Sequence, residues 1–470
     1  MSSTTRRGWR AAAVAVMATL VAAGSLAAGA GAVGAREAAA VAKCPIGALA
    51  KAAKPVHITM WHSMVQDNET QLQAFAKAFN ASRSDVVVEL VNQNTYDATL
   101  AKYTAGLTTG DLPDLVQMES TSLQRMIDTR TIVPAGTCIA KDKSFGLGGM
   151  LPRVRSYYTT GKTMWAVPWN VANMVVFWNK KAFTTAGLDP EKPPTTLDEL
   201  HADALKIKQS GAQRAGFAYK YEPWYLEQWA AMTGTPLVDN GNGRKARATK
   251  ATLDNPTLRS VFSFLAAVAK DGSGVTVGSR DSFDNLLALG NGGAGIAIDT
   301  SGALGTAIKA LAAGAFSGLT PSDIGVAPMP GPKGTGGAQI GGGALFIVGR
   351  SSPAKQEAAY RFAKYLAATP QTAQWATLGF VPLRAAATSV PVLTDQWTKY
   401  PQLKIPYDQV AGKADVATAG PVIGAYPEVR DALVKAMQRV AVDHASPTAA
   451  LKEAQAAANT AITDYNARVR

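Results

Sequence analysis

Aromatic side chains crowd two short stretches of the chain, which contain Trp165 and Trp169 in the first and Tyr221, Trp224, Tyr225 and Trp229 in the second. Flat apolar rings with a polar edge suit the C–H faces of sugars and polyols, and they also bind choline-like cations. The helical spacing of the second group fits a buried stripe of core residues equally well. The aromatic residues alone therefore leave ligand stacking and core packing open.

Three carboxylates, Glu119, Glu222 and Glu227, are candidates for the acid and base of glycoside hydrolysis. Such a pair needs only to be close in space, so sequence spacing does not exclude it. A hydrogen-bonding or surface role is the alternative for each. A secreted carbohydrate-active enzyme that uses Glu119 or a nearby carboxylate is thus one hypothesis. The chain has no GxSxG motif that would place a serine nucleophile on a sharp turn.

The sequence contains no complete motif for binding phosphate or a metal ion. Residues 290–295 match GxGxxG, but an apolar helix precedes them and a strand follows, the reverse of a dinucleotide site. Gly161-Lys162-Thr163 resembles the end of a phosphate loop, but Ser156 stands where its first glycine is needed. The four histidines form no HExxH motif and no close pair. We expect no metal, no cofactor and no catalytic residue.

Composition sets the size and class of the fold. Of the 470 residues, 47% are hydrophobic and 17% charged, which supplies a core and excludes wholesale disorder. A single core rarely exceeds about 250–300 residues, so we expect two domains. The formal net charge of +13 is scattered without an arginine-rich run, which argues against nucleic acid. A surface that binds polyanions remains a further hypothesis.

The N-terminus has the pattern of a secretory signal. Arg6, Arg7 and Arg10 precede an apolar, alanine-rich stretch, and small residues then offer cleavage sites. We predict a signal peptide over residues 1–35, with cleavage as late as 42, and an uncleaved membrane anchor is the alternative. The mature protein is expected to be secreted and to stay at the cell surface or in the periplasm.

Cys44 and Cys138 are the only cysteines. In an oxidising compartment we predict that they form a disulfide. A lipid anchor on Cys44 is the competing role, but Lys43 stands where a small apolar residue should precede a lipidated cysteine.

Strands and helices alternate in the N-terminal part. The patterns predict strands at 56–61, 85–91 and 115–118, separated by helices at 67–80 and 97–109. This order favours a parallel sheet with helices on both faces. Further strands are predicted at 164–167, 174–178, 295–299, 324–327 and 344–348, and further helices at 257–270, 354–368, 427–443 and 447–467. Thr196 and Glu199 predict a capping box at the start of another helix.

Several motifs in a fixed order resemble one family over residues 55–465, approximately the whole mature chain. They include Trp61-His62-Ser63-Met64, Asn94-Thr95-Tyr96, Gly110-Asp111-Leu112-Pro113-Asp114, Pro168-Trp169-Asn170, Phe177-Trp178-Asn179-Lys180 and Gly379-Phe380-Val381-Pro382-Leu383. The chain resembles the extracellular solute-binding proteins of ATP-driven importers, and within them the glycerol-3-phosphate-binding type.

The resemblance implies an α/β fold of two lobes that close on a ligand like a flytrap, each lobe a mostly parallel sheet flanked by helices. We expect 43–165 and 300–362 in the first lobe, and 166–299 and 363–470 in the second. The implied function is capture of a carbohydrate or a glycerol-phosphate-type solute by hinge closure and its delivery to a membrane permease, by a monomer that performs no chemistry.

The resemblance also implies a set of ligand-binding residues between the lobes, namely Tyr96, Glu119, Trp169, Asn170, Tyr221, Trp224, Ser301, Gly341, Gly342 and Phe380. A carboxylate such as Glu119 accepts hydroxyl hydrogen bonds, and glycine lets a ligand approach the main chain.

Three positions depart from the glycerol-3-phosphate-binding pattern. Phe380 replaces a ligand-contacting tyrosine, Val171 or Ala172 replaces a serine, and Val422 replaces the phosphate-contacting arginine. Because a buried phosphate needs a cation, Lys220 or Arg384 would have to substitute. The ligand thus remains open between a sugar, an oligosaccharide and a glycerophosphodiester.

Overall fold

The computed structural model describes residues 43–280 and 282–469. The predicted signal peptide, 1–35 with cleavage as late as 42, lies outside the described residues. In the described part of the chain, no helix is both long and apolar enough to cross a membrane.

The strands follow the predicted order closely. They are, in chain order, β1 (Val56–His62), β2 (Val86–Asn92), β3 (Leu115–Glu119), β4 (Ile132–Val133), β5 (Thr159–Thr160), β6 (Thr163–Met164), β7 (Val167–Ala172), β8 (Met174–Asn179), β9 (Ala215–Tyr219), β10 (Gly274–Thr276), β11 (Ala294–Thr300), β12 (Ile324–Pro328) and β13 (Gly341–Val348).

Helices fill most connections between the strands. They are α1 (Gln66–Ala81), α2 (Tyr96–Thr109), α3 (Leu123–Asp128), α4 (Ala135–Lys141), α5 (Pro152–Tyr157), α6 (Lys180–Thr185), α7 (Leu197–Gln209), α8 (Pro223–Met232), α9 (Asp239–Asn242), α10 (Pro256–Lys270), α11 (Asp284–Gly290), α12 (Leu304–Ala312), α13 (Pro353–Leu366), α14 (Thr369–Ala376), α15 (Pro391–Lys399), α16 (Ile405–Val410), α17 (Tyr426–Ala441) and α18 (Pro447–Arg468).

The first sheet has the strand order β2-β1-β3-β13-β4, and β7 also pairs with β13. Strands β2, β1 and β3 are parallel, as the β-α-β-α-β order predicts. Strand β13 is antiparallel to β3, β4 and β7. The sheet is therefore mixed, and β13 brings residues from the C-terminal half of the chain to its centre.

The second sheet has the strand order β10-β9-β11-β8-β12. Its first three strands are parallel, whereas β8 is antiparallel to β11 and β12. Strand β12 lies in this sheet although the expected first-lobe range 300–362 contains it. Strand β7 lies in the first sheet although the expected second lobe begins at 166. The lobe bounds as a whole stay a prediction.

Each sheet has its own buried core. The first is formed by strands β1, β3, β7 and β13 with α1 and α13, and the second by β8, β9 and β11 with α7, α8, α10, α17 and α18. Helix α7 begins where it was predicted to begin, because the Thr196 side chain accepts from the Glu199 amide and Glu199 accepts from the Thr196 amide.

The predicted disulfide is confirmed. Cys44 and Cys138 are bonded, which closes a loop with a sequence separation of 94 and ties the start of the described chain to α4. Both residues are buried in the core of the first sheet.

Candidate functional site

The carboxyl ends of the parallel strands in both sheets point at one cavity of about 390 Å³. In the first sheet, the segments after β1, β2 and β3 supply Ser63, Tyr96 and Ser120 to its wall. In the second, Lys220 follows β9, and Thr300 ends β11. Ligands of α/β proteins bind at strand carboxyl ends, where loops converge and helices begin. This position makes the cavity the candidate site.

Seven of the ten expected ligand-binding residues line the cavity: Tyr96, Glu119, Asn170, Trp224, Gly341, Gly342 and Phe380. Trp169, Tyr221 and Ser301 are not among its lining residues. That any of the ten contacts a ligand stays a prediction.

A chain of hydrogen bonds positions Tyr96. The Asn170 Nδ2 donates to the Tyr96 hydroxyl at 2.6 Å, and the Asn170 Oδ1 accepts from Gln117 Nε2 at 2.9 Å. Gln117 in turn accepts from the Ser63 amide at 2.8 Å. Because Gln117 and Asn170 are fully buried, these bonds hold the Tyr96 ring at the wall with little freedom.

The Trp224 ring packs against β13 at Gly341, which has no side chain. A Cβ atom on Gly341 would lie 2.1 Å from the Trp224 ring, so only glycine lets the ring pack there. Gly342 has φ +84°, and a Cβ on it would lie 1.9 Å from the Asn170 carbonyl oxygen. The Trp224 Nε1 is buried and has no hydrogen-bond partner among the described residues.

An ion-pair cluster at the cavity wall centres on Arg430, which sequence reasoning missed. Its guanidinium donates to both carboxylate oxygens of Glu227, at 2.7 and 2.9 Å, and to Glu119 at 2.6 Å. Arg430 is 4% exposed and Glu227 is 1% exposed. Arg430 lies on α17, more than 200 residues from either partner along the chain, so local spacing carried no signal for it.

The pKa values of Glu119 and Glu222 are shifted in opposite directions. Burial alone would raise the pKa of Glu119, but the charges of Arg430 and Arg280 outweigh it and hold that pKa below its usual value. Burial raises the pKa of Glu222 to about 7, only partly opposed by Arg430. Glu222 also caps α8 by accepting from the Trp224 amide at 3.0 Å. The site therefore holds an ionised Glu119 and a Glu222 that titrates near neutrality.

The other lining cations are also paired. Lys220 is 3% exposed and donates to Asp299 at 3.0 Å and to the Ser282 carbonyl at 2.8 Å. Arg280 donates to Asp97 on α2 at 2.6 Å. Because Arg280 follows the second sheet and Asp97 the first, this ion pair spans the cavity.

The three expected residues outside the cavity wall contact other parts of the protein. The Trp169 ring lies tilted against Trp375 at 4.9 Å between ring centroids, and Trp375 stacks at 5.0 Å on Phe380, which lines the cavity. The Ser301 amide donates to the Asn173 carbonyl at 2.8 Å, where the chain crosses from β7 to β8. The Tyr221 ring packs edge-on against Tyr219 at 6.4 Å.

The three departures from the glycerol-3-phosphate-binding pattern leave apolar groups in or near the site. Ala172 and Phe380 line the cavity without a hydroxyl. Val422 is 2% exposed in the core and does not line it. Of the two suggested substitute cations, Lys220 lines the cavity, whereas Arg384 lies over the Phe145 ring, 5.0 Å from its centroid, outside the lining set.

Metal-binding chemistry has no support in the part of the chain that the structure describes. No group of three or more His, Cys, Asp or Glu side chains there is arranged to hold an ion. In the cavity the carboxylates of Glu119 and Glu227 instead surround a guanidinium. This arrangement suits hydrogen bonding to hydroxyl groups of a bound solute.

Two sheets that face each other across a cleft define a class of ligand receptors, and comparison with known proteins agrees. A family model described as bacterial extracellular solute-binding protein matches residues 74–405. The chain belongs to this family of solute-binding proteins. The expected two-lobed α/β fold class is thereby confirmed, with the refinement that both described sheets are mixed.

Individual relatives are similar over most of their length. The sn-glycerol-3-phosphate-binding periplasmic protein of Yersinia pseudotuberculosis is 27% identical over 410 residues, which are 86% of this chain and 91% of the relative. A Mycobacterium tuberculosis protein solved with glycerophosphocholine has a TM-score of 0.71 at 18% identity, over 88% of this chain and 100% of that one. The cyclic alpha-maltosyl-1,6-maltose binding protein of Arthrobacter globiformis has a TM-score of 0.70 at 22% identity, over 87% and 100%.

These findings decide between the hypotheses from the sequence. The chain is a substrate-binding protein of an ABC transporter, and it is not an enzyme. The alternative of a carbohydrate-active enzyme that uses Glu119 has no support, and Glu119 is instead ion-paired with Arg430. Proteins of this family act outside the cytoplasm and deliver small molecules to membrane permeases.

Proposed function

We propose that this protein captures a polyhydroxylated solute without net negative charge, a sugar or a polyol conjugate, and delivers it to an ABC permease. The observation that carries this proposal is the charge of the cavity. Four carboxylates line it, those of Glu119, Glu222, Glu227 and Asp299, against the three cations Lys220, Arg280 and Arg430. Every one of these cations already has a carboxylate partner.

Every cation among the described lining residues is already ion-paired, and a phosphate group could break only the exposed Arg280–Asp97 pair at little cost. Moving Lys220 from Asp299 or Arg430 from Glu227 would leave a buried carboxylate unpaired, which costs several kcal/mol. Hydroxyl groups face no such obstacle, because Glu119 and the backbone of Gly341 and Gly342 offer acceptors and donors. The Trp224 ring supplies an apolar surface for the C–H face of a sugar.

The names of the relatives limit the classes of ligand to be considered. The Yersinia relative is named for sn-glycerol 3-phosphate, and similar folds were solved with sugars and glycerophosphocholine. Val422, where the glycerol-3-phosphate-binding type has an arginine, argues against the free phosphate monoester. A glycerophosphodiester with a cationic head group is the second candidate, favoured by the net negative charge of Glu119 and Glu227 around the single cation Arg430.

A calorimetric titration tests the ligand class. The purified mature chain would be titrated with maltose, glucose, glycerol 3-phosphate and glycerophosphocholine. We expect saturable binding of a neutral sugar or of the zwitterion, and none of glycerol 3-phosphate. Tighter binding of glycerol 3-phosphate than of both neutral classes would overturn the proposal. Affinity for heparin that collapses with salt would instead favour the polyanion hypothesis.

We also propose that the protein acts as a monomer, binds no nucleic acid and remains outside the membrane near its permease. The scattered positive charge and the family membership support this. Light scattering after size exclusion tests the oligomeric state, and a dimer mass at micromolar concentration would contradict it.

A further inference from the structure

A second cavity of about 330 Å³ lies beside the first and is apolar. Its wall includes Phe283, Leu286, Leu287, Ala307, Ala310 and Phe316. None of its described lining residues carries a charge. The volume falls in the range of about 300–1,000 Å³ that is typical of small-molecule sites. We call it the apolar groove.

The apolar groove adjoins the polar cavity. Val65, Asn68, Phe283 and Gly302 line both. Gly302 lies at the junction, and a Cβ atom there would lie 3.0 Å from the Phe380 ring. A ligand in the polar cavity therefore lies next to the apolar groove.

The junction holds a polar atom that the protein leaves unused. The Asn68 Oδ1 is buried and has no hydrogen-bond partner among the described residues. Unpaired buried polar groups are uncommon, because each costs about 1–3 kcal/mol. A donor on a ligand that passes from one cavity to the other would satisfy it.

An exposed ion pair links two helices beside the apolar groove. Lys309 of α12 donates to Asp67 of α1 at 3.0 Å, which links the two helices that border it. Three large apolar side chains stay exposed at its edge: Val65, Phe283 and Leu287, at 38%, 37% and 46%. Apolar surface that is grouped in this way marks a binding site more often than chance exposure.

We propose that the natural solute is amphipathic, a glycoside or polyol conjugate whose hydrocarbon or aryl group occupies the apolar groove. This inference rests on the proposed function for its polar half. The head group is held by Glu119, Trp224 and Gly341, and the apolar group is removed from water between α1, α11 and α12. Burial of the apolar group adds affinity in proportion to its length, since it requires no new polar contacts.

Paired probes that differ only in the apolar group test this directly. Methyl and octyl β-glucoside, and methyl and octyl β-maltoside, would be titrated by calorimetry below their micelle concentrations. For whichever of the two sugars binds, we expect its octyl glycoside to bind at least tenfold more tightly than its methyl glycoside. Equal affinities of the two would overturn the inference.

Two matched variants test whether the additional affinity of the octyl glycoside comes from the apolar groove. Ala307→Phe fills the groove from a half-buried position of α12, and Ala312→Phe puts the same side chain on an exposed position of that helix outside it. The octyl advantage should disappear in Ala307→Phe and persist in Ala312→Phe, with methyl glycoside affinity unchanged in both. An octyl advantage that survives Ala307→Phe would contradict the assignment.

A probe without a head group separates this inference from the proposed function. Nile red fluorescence should rise on binding to the wild-type protein and Ala312→Phe, and not on binding to Ala307→Phe. Nile red binding without affinity for any glycoside would reject the proposed ligand class and leave the apolar subsite standing. Absence of Nile red binding, or a wild-type dimer that Ala307→Phe makes monomeric, would reject the subsite.

Discussion

At the scale of single residues, Arg430 pairs with two carboxylates of the site wall, those of Glu119 and Glu227. Burying a charge is costly unless it is paired, and Glu227 and Arg430 are among the most buried charged groups in the described chain. Opposite charges draw the pKa of Glu119 down and the pKa of Arg430 far up, although burial acts against both. The cluster is thus a structural requirement as well as a set of ligand acceptors.

Replacement of Arg430 tests that requirement. Arg430→Met leaves the buried Glu227 without a cation and Glu119 with only Arg280 near it, so we expect the free energy of unfolding to fall by about 3–5 kcal/mol. Urea denaturation measures it. Arg259→Met removes an exposed pair with Asp254 on α10 and should produce a much smaller change. Equal losses in the two variants would show that the Arg430 cluster contributes no more than a surface pair.

Glu222 predicts a pH dependence of stability. Its pKa rises from the usual value of 4.5 to about 7 because it is buried, so the folded protein binds its proton more tightly than the unfolded chain. The resulting stabilisation is complete below pH 4.5 and is lost as the pH rises to about 7. We expect wild-type stability to fall across this window by about 1–3 kcal/mol more than that of Glu222→Gln.

Urea titrations of both proteins between pH 5 and 8 measure this difference. Subtraction of the two curves removes contributions from other groups that titrate there, such as Asp203, whose pKa burial raises to about 6. Parallel curves would mean that Glu222 is ionised throughout.

At the scale of elements, α8 and β13 together hold the stacking ring. Gly341→Ala would place a methyl group within 2.1 Å of the present position of the Trp224 ring, so the ring must move. We expect ligand affinity to fall at least about fivefold, as for Trp224→Ala, while the melting temperature changes little. Gly148→Ala is the control, because a Cβ there meets nothing within 4 Å. Unchanged affinity in Gly341→Ala would show that Trp224 does not stack on the ligand.

Local patterns predicted the elements that alternate or cap clearly, and they missed those that do not. Helix α1 was predicted from apolar spacing, and both its ends lie within one residue of the prediction, whereas the capping box predicted only the start of α7, which is where that helix begins. Strand β9 was missed, since its Ala-Gly-Phe-Ala-Tyr sequence is buried on both faces and has no alternation. Strand direction in β8 and β13 depends on contacts far along the chain, which local spacing does not contain.

Some residues of the site could also be expected from the sequence, and others could not. The family resemblance implied Tyr96, Glu119 and Gly341 as site residues, and they line the cavity, although their contact with a ligand stays a prediction. Arg430 and the Lys220–Asp299 pair were missed or left without a partner, since their partners come from distant elements. Only the fold brings α17 beside β3 and α8.

At the scale of the whole molecule, the disulfide ties the N-terminal segment to the first sheet. It closes a loop with a sequence separation of 94, so its loss frees much unfolded-state entropy. We expect Cys44→Ala with Cys138→Ala to lower the free energy of unfolding by about 2–5 kcal/mol. Ligand affinity should stay unchanged, because neither cysteine lines a cavity. Affinity loss measured by calorimetry under native conditions would show that the bridge also shapes the site.

Arg280–Asp97 and Lys309–Asp67 are among the ion pairs of the described chain that join the two sheets across the cleft. Both are partly exposed, so each contributes about 0.2–1 kcal/mol and is weakened by salt. Because these ion pairs favour the arrangement in which the two sheets approach, Asp67→Asn with Asp97→Asn should open the free protein and weaken ligand binding about two- to tenfold.

Small-angle scattering should then show a larger radius of gyration for the free variant than for the wild type, and equal radii once ligand saturates both. Asp408→Asn, which breaks an ion pair within α16 and its preceding turn, should leave both measurements unchanged. Equal radii of the free wild type and the free double variant would mean that packing, and not these ion pairs, sets the approach of the sheets.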